Sequence, residues 1–191
     1  MRVLIAEDEA LIRMDLREML EEEGHEVVGE AGDGEEAVSL ARELTPDVVF
    51  MDVKMPGTDG IEAAERIADE RLAPVVMVTA FSQQTYVEQA ARAGAMAYLV
   101  KPFGKRDVVP AMQVAAARFE EARELEGEVA DLEERLEARK VVERAKGVLM
   151  ERGMNESEAF RRLQKLAMDK QMPLKDVAEA VLLAEEAGDE G

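Results

Sequence analysis

Four short apolar runs in the first hundred residues each end at a charged or hydroxyl side chain. The runs cover residues 3–6, 48–51, 75–78 and 97–100, and they lead into Glu7 and Asp8, Asp52, Thr79 and Lys101 respectively. Short apolar runs of this kind predict buried strands of a parallel sheet. Because the carboxyl ends of parallel strands meet at one edge, we expect three carboxylates, a hydroxyl and an ammonium to lie together.

The segments between these runs have the spacing of amphipathic helices. Residues 9–23 place apolar side chains three and four positions apart, and a glycine follows this segment. A short run at 26–31 adds a strand, so that strands and helices alternate five times over residues 1–118. This alternation predicts an α/β domain with a doubly wound, five-stranded parallel sheet covered by helices on both faces.

The length and composition exclude several classes of protein. The chain has 191 residues, enough for one ordinary domain and a smaller second one. It contains no cysteine, which excludes disulfides, thiolate zinc sites and a cysteine nucleophile. No apolar stretch approaches the roughly 18 residues of a membrane span, and Met1 leads directly into a predicted strand without a signal peptide. We therefore expect a cytoplasmic protein without a membrane partner.

The charge of the chain is unevenly distributed. Its net charge is −19, which taken alone argues against a nucleic-acid partner. The segment 139–175 nevertheless contains ten basic and five acidic residues, a local charge of +5 against −24 for the remainder. A basic segment in an acidic protein predicts an anionic partner for that segment.

A long helical pattern runs from about residue 108 to residue 150. Within it an apolar seam recurs with spacings of 4, 3 and 4, at Leu125, Val129, Leu132 and Leu136. Two interpretations are open, a dimeric coiled coil or a solvated helix packed on its own domain. We favour dimerisation because charged residues flank the seam, and we assign residues 119–138 to a helical coiled-coil linker.

Residues 139–191 are predicted to form a small all-α domain of three helices. The second helix begins at a capping Asn155, and the third starts at Pro173, a favourable first position. The apolar positions of the three helices supply a small core, in which we place Phe160. We expect the basic residues to remain outside this core.

The predicted sheet edge has the groups needed to hold a divalent metal and a phosphoryl group. Mg²⁺ prefers oxygen ligands, so two or three of the carboxylates of Glu7, Asp8 and Asp52 suffice. The Asp52 carboxylate can also accept a phosphoryl group covalently. Thr79 can donate a hydrogen bond to that phosphate, and Lys101 can pair with one of its oxygens. A single aspartate after a strand is more often a cap or turn residue, but the joint pattern favours the functional interpretation.

These residues resemble the receiver domain of bacterial two-component response regulators. The resemblance covers about residues 1–118 and rests on four motifs: Glu7-Asp8, Asp52 with Pro56-Gly57 after it, Thr79-Ala80, and Lys101-Pro102-Phe103. It implies a flavodoxin-like fold and phosphorylation of Asp52 by a histidine kinase. It also implies a Mg²⁺ site formed by Glu7, Asp8, Asp52 and the backbone carbonyl of Lys54.

The same resemblance implies a switch. Thr79 and Tyr98 are expected to rearrange on phosphorylation and to remodel the face formed by the fourth helix and the fifth strand. The alternative for Tyr98 is an ordinary half-buried aromatic residue of a strand. A cis bond between Lys101 and Pro102 is compatible with this site.

The C-terminal segment resembles the ANTAR domain, a three-helix RNA-binding module of antitermination regulators. The resemblance covers about residues 125–185, and its specific part is Ala145-Lys146-Gly147 followed by Leu149-Met150. It implies binding of RNA hairpins in nascent transcripts by a dimer. The RNA-contact candidates are seven basic residues: Arg139, Lys140, Arg144, Lys146, Arg161, Arg162 and Lys165. Each one alone is better explained as a solvated surface charge, whereas the net charge of the segment favours phosphate contacts.

Three classes of function follow from these patterns. The leading hypothesis is a phosphorylation-controlled RNA-binding antiterminator that dimerises when phosphorylated. The alternatives are a response regulator whose helical output binds DNA, and an adaptor whose long helix docks a partner protein. An enzyme is least consistent with the sequence, because no base–nucleophile pair can be named beyond the chemistry of Asp52.

Overall fold

The computed structural model describes residues 1–80 and 84–189, which divide into two compact units, residues 1–124 and 125–191. This division falls inside the segment 119–138 that the sequence assigns to a linker. The last two residues of the predicted third domain, 190 and 191, lie outside the described part.

The first unit contains a five-stranded parallel sheet with the strand order β2-β1-β3-β4-β5. The strands are β1 (Arg2–Ala6), β2 (Glu26–Ala31), β3 (Val48–Asp52), β4 (Val75–Thr79) and β5 (Ala97–Val100). The prediction of a doubly wound parallel sheet is confirmed. The order changes direction between β1 and β3, and in open α/β sheets ligands bind at the carboxyl ends of the strands beside such a point.

Helices cover both faces of the sheet. They are α1 (Ala10–Glu22), α2 (Gly34–Leu44), α3 (Gly60–Asp69), α4 (Gln84–Arg92) and α5 (Lys105–Glu151). Alternation along β1 sends Val3 and Ile5 to a core shared with α1 and α5, and Leu4 and Ala6 to a core shared with α2, α3 and α4. Because both faces are buried, the strands contain almost continuous apolar residues.

Local signals in the sequence explain where several helices begin. Asp33 and Asp59 cap α2 and α3, and each side chain accepts a hydrogen bond at 2.9 Å from the backbone N–H three residues later. Gly24 and Gly94 follow α1 and α4 with positive φ angles of 81° and 79°. Glycine adopts this left-handed conformation without steric cost, so these positions end the helices.

The second unit consists of the C-terminal part of α5 with α6 (Glu156–Lys170) and α7 (Leu174–Asp189). The helix α5 is continuous over 47 residues, in agreement with the unbroken helical pattern of the sequence. Asn155 and Glu158 form a capping box at the start of α6, with hydrogen bonds of 3.0 and 2.9 Å. None of the described helices is both long enough and apolar enough to span a bilayer.

The second unit has a small core of its own. Eight residues are buried in it: Val141, Val142, Ala145, Leu149, Ala159, Leu163, Val177 and Ala178. All three helices contribute to this cluster. Since a core of this size has little apolar area to bury, each of its contacts matters for the stability of the unit.

Candidate functional site

The carboxyl ends of four strands place the predicted site residues at one edge of the sheet. β1 leads into Glu7, and β3 and β4 end at Asp52 and Thr79. In the register of the sheet, Asp52 pairs with Val78 and Thr79 pairs with Val100, the residue before Lys101. The sheet therefore brings together residues that are as far as 94 positions apart in sequence (Glu7 and Lys101).

Three carboxylates form a cluster at this edge. Each of Glu7, Asp8 and Asp52 offers one oxygen atom, and these three atoms all lie within 4.8 Å of one another. Glu7 and Asp52 are 2% and 6% exposed, whereas Asp8 is exposed to solvent. A donor set made only of carboxylate oxygens, open to water on one side, fits a hard cation such as Mg²⁺.

Lys101 bridges two of these carboxylates. Its Nζ atom lies 2.6 Å from Oε2 of Glu7 and 3.1 Å from Oδ1 of Asp52. The bond between Lys101 and Pro102 is cis. The backbone N–H of Lys101 donates a 2.8 Å hydrogen bond to the carbonyl of Thr79, which links β5 to the end of β4. The ammonium group is thus held within reach of any group attached to Asp52.

The balance of charge at the site favours an additional cation. Burial raises the pKa of Glu7 and of Asp52, and it outweighs the hydrogen bonds and the positive charge of Lys101. Burial also lowers the pKa of Lys101, but its hydrogen bonds and charge contacts with Glu7 and Asp52 together raise that pKa above the ordinary value. One ammonium therefore does not offset the negative charge of the buried carboxylates, and a divalent cation would.

The remaining predicted residues of the receiver site lie around this cluster. Thr79 is 1% exposed, and its side chain forms a hydrogen bond with the half-buried Tyr98. Burial raises the pKa of the Tyr98 hydroxyl. The structure therefore couples Thr79 to Tyr98 directly. Lys54 lies two residues beyond Asp52 in the loop that leads to α3, and the role of its carbonyl as a metal ligand stays a prediction.

Two further residues contact the backbone of Glu7 and of Asp52, and neither was predicted from the sequence. The guanidinium of Arg13 in α1 donates one hydrogen bond to the backbone carbonyl of Glu7 and another, of 3.2 Å, to Glu30. Gly60 packs so closely on β3 that a Cβ atom at this position would lie 1.7 Å from the carbonyl oxygen of Asp52. The signal for Gly60 was its position at the end of a Pro/Gly loop, whereas nothing in the sequence marks Arg13 as a partner of Glu7.

The basic candidates of the second unit divide into two groups. Five are exposed and form no ion pair with a described residue: Arg139, Arg144, Arg161, Arg162 and Lys165. Lys140 is also exposed, and its Nζ atom lies 3.4 Å from Glu137. Exposed cations without carboxylate partners remain available to phosphate groups.

Lys146 differs from the expectation that basic residues stay outside the core. It is only 7% exposed, and its Nζ atom lies 2.9 Å from Glu143 and 2.8 Å from Glu156. The burial follows from its position beside Ala145 on α5, where α6 covers it. A lysine that binds two carboxylates connects α5 to the first turn of α6.

The prediction that Phe160 lies in the core is wrong. Phe160 is 37% exposed, whereas its neighbours Ala159 and Leu163 are fully buried. Phe160 lies at the margin of the apolar side of α6, and the structure centres the buried side on Ala159 and Leu163. Of the small residues in the Ala145-Lys146-Gly147 motif, Ala145 is buried and Gly147 is exposed, with no atom within 4 Å of a Cβ placed there.

Comparison with known families assigns both parts of the chain. Residues 3–113 match the response regulator receiver domain, and residues 130–182 match the ANTAR domain. The receiver match contains every predicted residue of the acidic cluster together with Lys101. The ANTAR match contains all seven basic candidates.

Known proteins are similar to the whole chain or to its first part. The transcriptional regulatory protein PdtaR of Mycobacterium tuberculosis is 63% identical over 182 residues, which are 95% of this chain and 89% of that protein. The chemotaxis protein CheY of Thermotoga maritima is 43% identical over 112 residues, which are 58% of this chain and 93% of that protein. The similarity to PdtaR thus extends across both units.

Solved structures are similar to the first unit. The receiver domain of the putative response regulator NarL from Mycobacterium tuberculosis has a TM-score of 0.59 and 32% identity, and the match covers 61% of this chain and 95% of that one. The CheX–CheY–BeF₃–Mg²⁺ complex from Borrelia burgdorferi contains a chain with a TM-score of 0.55 and 30% identity, matched over 62% of this chain and 88% of that one.

Proposed function

The chain belongs to the response regulators, with a receiver domain followed by an ANTAR domain, and from this membership we propose that it is a phosphorylation-controlled, RNA-binding transcription antiterminator. A receiver domain implies phosphoryl transfer from a histidine kinase, and an ANTAR domain implies RNA binding. The observation that carries the proposal is the acidic cluster of Glu7, Asp8 and Asp52 with Lys101 at 2.6 and 3.1 Å.

Asp52 is the proposed phosphoryl acceptor. One carboxylate oxygen attacks the phosphorus of a phosphohistidine on the cognate kinase. A P–O bond forms, the P–N bond breaks, and the imidazole leaves with the electron pair and takes up a proton. The close contact between Gly60 and the carbonyl of Asp52 holds the acceptor at the strand end. The chain thereby receives a signal and performs no other chemistry in this proposal.

Receiver domains bind Mg²⁺ at an acidic site of the kind seen here. We assign the ion to the carboxylates of Glu7, Asp8 and Asp52 and to the carbonyl of Lys54. When bound, Mg²⁺ supplies positive charge that offsets the carboxylates and the phosphoryl oxygens. Arg13, which donates to the Glu7 carbonyl, orients the strand end that carries two of the ligands.

Lys101, Thr79 and Tyr98 are the proposed readers of the phosphate. Lys101 now pairs with Glu7 and Asp52, and a phosphoryl group on Asp52 offers it a new oxygen partner. The Thr79 hydroxyl can donate to another phosphoryl oxygen. That change alters its hydrogen bond with Tyr98, so the state of Asp52 reaches the face at β5.

The output in this proposal is a dimer of ANTAR domains. The seam residues Leu125, Val129, Leu132 and Leu136 are between 53% and 57% exposed, so they do not pack within the described chain. A second copy can cover this seam as a coiled coil. Two linked ANTAR domains can then bind two adjacent RNA hairpins, and the second binding event gains from the high effective concentration.

RNA binding before and after addition of beryllium fluoride with Mg²⁺ tests the proposal. Beryllium fluoride stands for the phosphoryl group, as in the complex of the CheY from Borrelia burgdorferi. We expect tighter binding of structured RNA by the treated wild-type chain and no response in Asp52→Asn, which lacks the acceptor oxygen. No salt-dependent affinity for any structured RNA in either form would overturn the proposal.

A double substitution separates RNA binding from the other outputs. Arg161→Ala with Lys165→Ala removes two exposed cations of α6 far in sequence from the acidic cluster. We expect loss of RNA binding with unchanged phosphorylation of Asp52. Retained RNA binding would mean that these two cations do not contact RNA, whereas binding of duplex DNA that the double substitution abolishes would favour the DNA-binding alternative.

A further inference from the structure

Phe160 is the only aromatic residue in the sequence of the second unit, residues 125–191, and it does not serve the core. It is 37% exposed, while the inward positions of α6 are filled by the smaller Ala159 and by Leu163. A phenylalanine side chain is among the largest apolar groups a core can bury. The exposed part of its ring is therefore available to a partner.

The surroundings of Phe160 on α6 are polar, and one cation lies at their margin. Helical periodicity places Gln164 one turn beyond Phe160 on the same side and Arg161 one turn before Gln164 on its other flank, whereas Lys165 faces a different side of the helix. Gln164, Arg161 and Lys165 are all exposed, and neither cation forms an ion pair with a described residue. The ring therefore stands at the edge of a surface that offers positive charge and an amide.

The acidic residues near this surface are already engaged. Glu156 binds Lys146 at 2.8 Å, and the carboxylate of Glu158 accepts a 2.9 Å hydrogen bond from the backbone of Asn155 in the capping box. The first turn of α6 thus satisfies its carboxylates locally. With Glu156 paired, α6 still carries four cations against the carboxylates of Glu158 and Asp169, a net charge of +2 that complements phosphate.

We propose that Phe160 is a stacking platform for an unpaired base of an RNA hairpin loop, with Gln164 at the base edge and Arg161 on a flanking phosphate. The inference rests on the proposed RNA binding, and it adds how the domain distinguishes the loop of an RNA hairpin from its stem. Unpaired bases stack on aromatic side chains and expose their edges, whereas paired bases in a stem do not. The ring thus selects the loop of a hairpin over its stem.

The test compares two RNA probes and a set of variants of the full chain. One probe is a pool of hairpins that share a stem and carry randomised loops, and the other is the same stem as a blunt duplex. Phe160→Ala should weaken binding of the hairpin pool by about ten- to a hundredfold, because stacking of one base contributes about that much. The duplex should bind equally to wild type and variant.

Further variants separate stacking from charge and from folding. Phe160→Trp should retain the affinity for the hairpin pool, and Phe160→Leu, which keeps an apolar side chain, should lose it with unchanged circular dichroism. Arg161→Ala should lower the slope of log affinity against log salt by about one, and Phe160→Ala should leave that slope unchanged. Leu183→Ala is the matched control, since Leu183 is a 65% exposed apolar residue of α7.

The outcomes distinguish this inference from the proposed function. If Arg161→Ala weakens binding while Phe160→Ala and Phe160→Leu do not, RNA binding stands and the stacking role is overturned. Equal losses of hairpin and duplex binding in Phe160→Leu also overturn it. A loss of self-association in sedimentation without a loss of RNA affinity identifies a protein interface instead. Absence of RNA binding by the wild-type chain overturns both proposals.

Discussion

Single residues of the ANTAR domain differ in what their side chains contact, although the sequence groups them together. Lys146 lies among seven basic candidates, yet it is buried and binds Glu143 and Glu156. Its neighbour Arg144 is exposed and forms no ion pair with a described residue. Lys146 therefore connects α5 to α6, and only the exposed cations are proposed to contact RNA.

The first prediction concerns Lys146→Met, which keeps the apolar stem and removes the charge. Hydrogen bonds with Glu156 and Glu143 raise the pKa of Lys146, and the bond from Lys146 lowers the pKa of Glu156. The ion pair thus stabilises the folded chain between the ordinary pKa values of 4.5 for glutamate and 10.5 for lysine. The variant should be less stable than wild type in that range.

Denaturant unfolding at several pH values measures this effect. The difference between wild type and Lys146→Met should shrink as pH falls through the lowered pKa of Glu156, and again as pH rises through the raised pKa of Lys146. Lys140→Met is the control, because Lys140 is exposed and only 3.4 Å from Glu137, so its loss should cost little. A difference that does not vary with pH would contradict the ion-pair role.

The second prediction concerns Gly60, whose backbone supports the acceptor Asp52. In Gly60→Ala the new methyl group would meet the Asp52 carbonyl at 1.7 Å, so β3 and α3 must separate. We expect a loss of about 3 kcal/mol in the free energy of unfolding, as for overpacked cores, and slower phosphorylation by a small acyl phosphate. Gly127→Ala, where nothing lies within 4 Å of the added Cβ, should not destabilise the chain. Equal stability of the two variants would contradict this.

At the scale of elements, the exposed seam of α5 is apolar at its centre and charged at its margins. If two copies pair in parallel, the flanking positions bring Glu121 opposite Glu126, Glu128 opposite Glu133 and Arg135 opposite Lys140 of the second copy. Each of these pairs has like charges. The seam therefore attracts a second copy through apolar contact, and its margins oppose the pairing.

The third prediction follows from this opposition. Salt should strengthen dimerisation of the wild-type chain, because it screens the repulsion between like charges. Glu133→Lys converts two symmetric repulsions with Glu128 into attractions, and it should tighten the dimer by about 1 kcal/mol, roughly fivefold, at low salt. Sedimentation equilibrium measures both effects.

Glu134→Lys is the control for this prediction. It makes the same change of charge one residue away, at a position that faces away from the seam in the heptad. It should leave dimerisation nearly unchanged. Equal effects of Glu133→Lys and Glu134→Lys would mean that total charge, and not the seam, governs association.

In the whole molecule, the acidic cluster lies in the receiver domain and the basic segment lies in the ANTAR domain. The local charge of +5 in residues 139–175 stands against −24 in the remainder, so a polyanion is attracted to one segment only. The single helix α5 contributes residues both to the core of the first unit and to that of the second. In the proposed function, a local attraction of this kind is strengthened when two copies bind one RNA.

The fourth prediction is that phosphorylation matters chiefly for RNAs with two hairpins. Beryllium fluoride with Mg²⁺ should tighten binding of an RNA with two adjacent hairpins by roughly a hundredfold or more, because the second hairpin is bound intramolecularly. An RNA with one of these hairpins should show little response. Leu132→Glu, which disrupts the seam, should remove the advantage of the two-hairpin RNA. An equal response of both RNAs would place the effect of phosphorylation within a single ANTAR domain.

Local patterns in the sequence are enough to predict the strands, the caps and the chemistry of the acidic edge. An apolar run that ends in Asp52 predicts both a buried strand and the place where its carboxylate emerges, since strands that alternate with helices are expected to run parallel and to end at one edge of the sheet. The capping signals at Asn155 and the heptad spacing from Leu125 are likewise local. These features need no knowledge of which elements are neighbours.

Which side of each helix is covered, and how close distant residues come, depends on the packing of the elements against one another. The spacing of α6 allowed Phe160 to face inward, but the packing against α5 and α7 buries Ala159 and leaves the ring exposed. Lys146 pairs with Glu156 of another helix at 2.8 Å, and Gly60 has no room for a Cβ atom because the carbonyl of Asp52 in β3 lies against it. Helical periodicity shows which residues share a face. The elements that pack against the helix determine which residues at the margin of that face are buried.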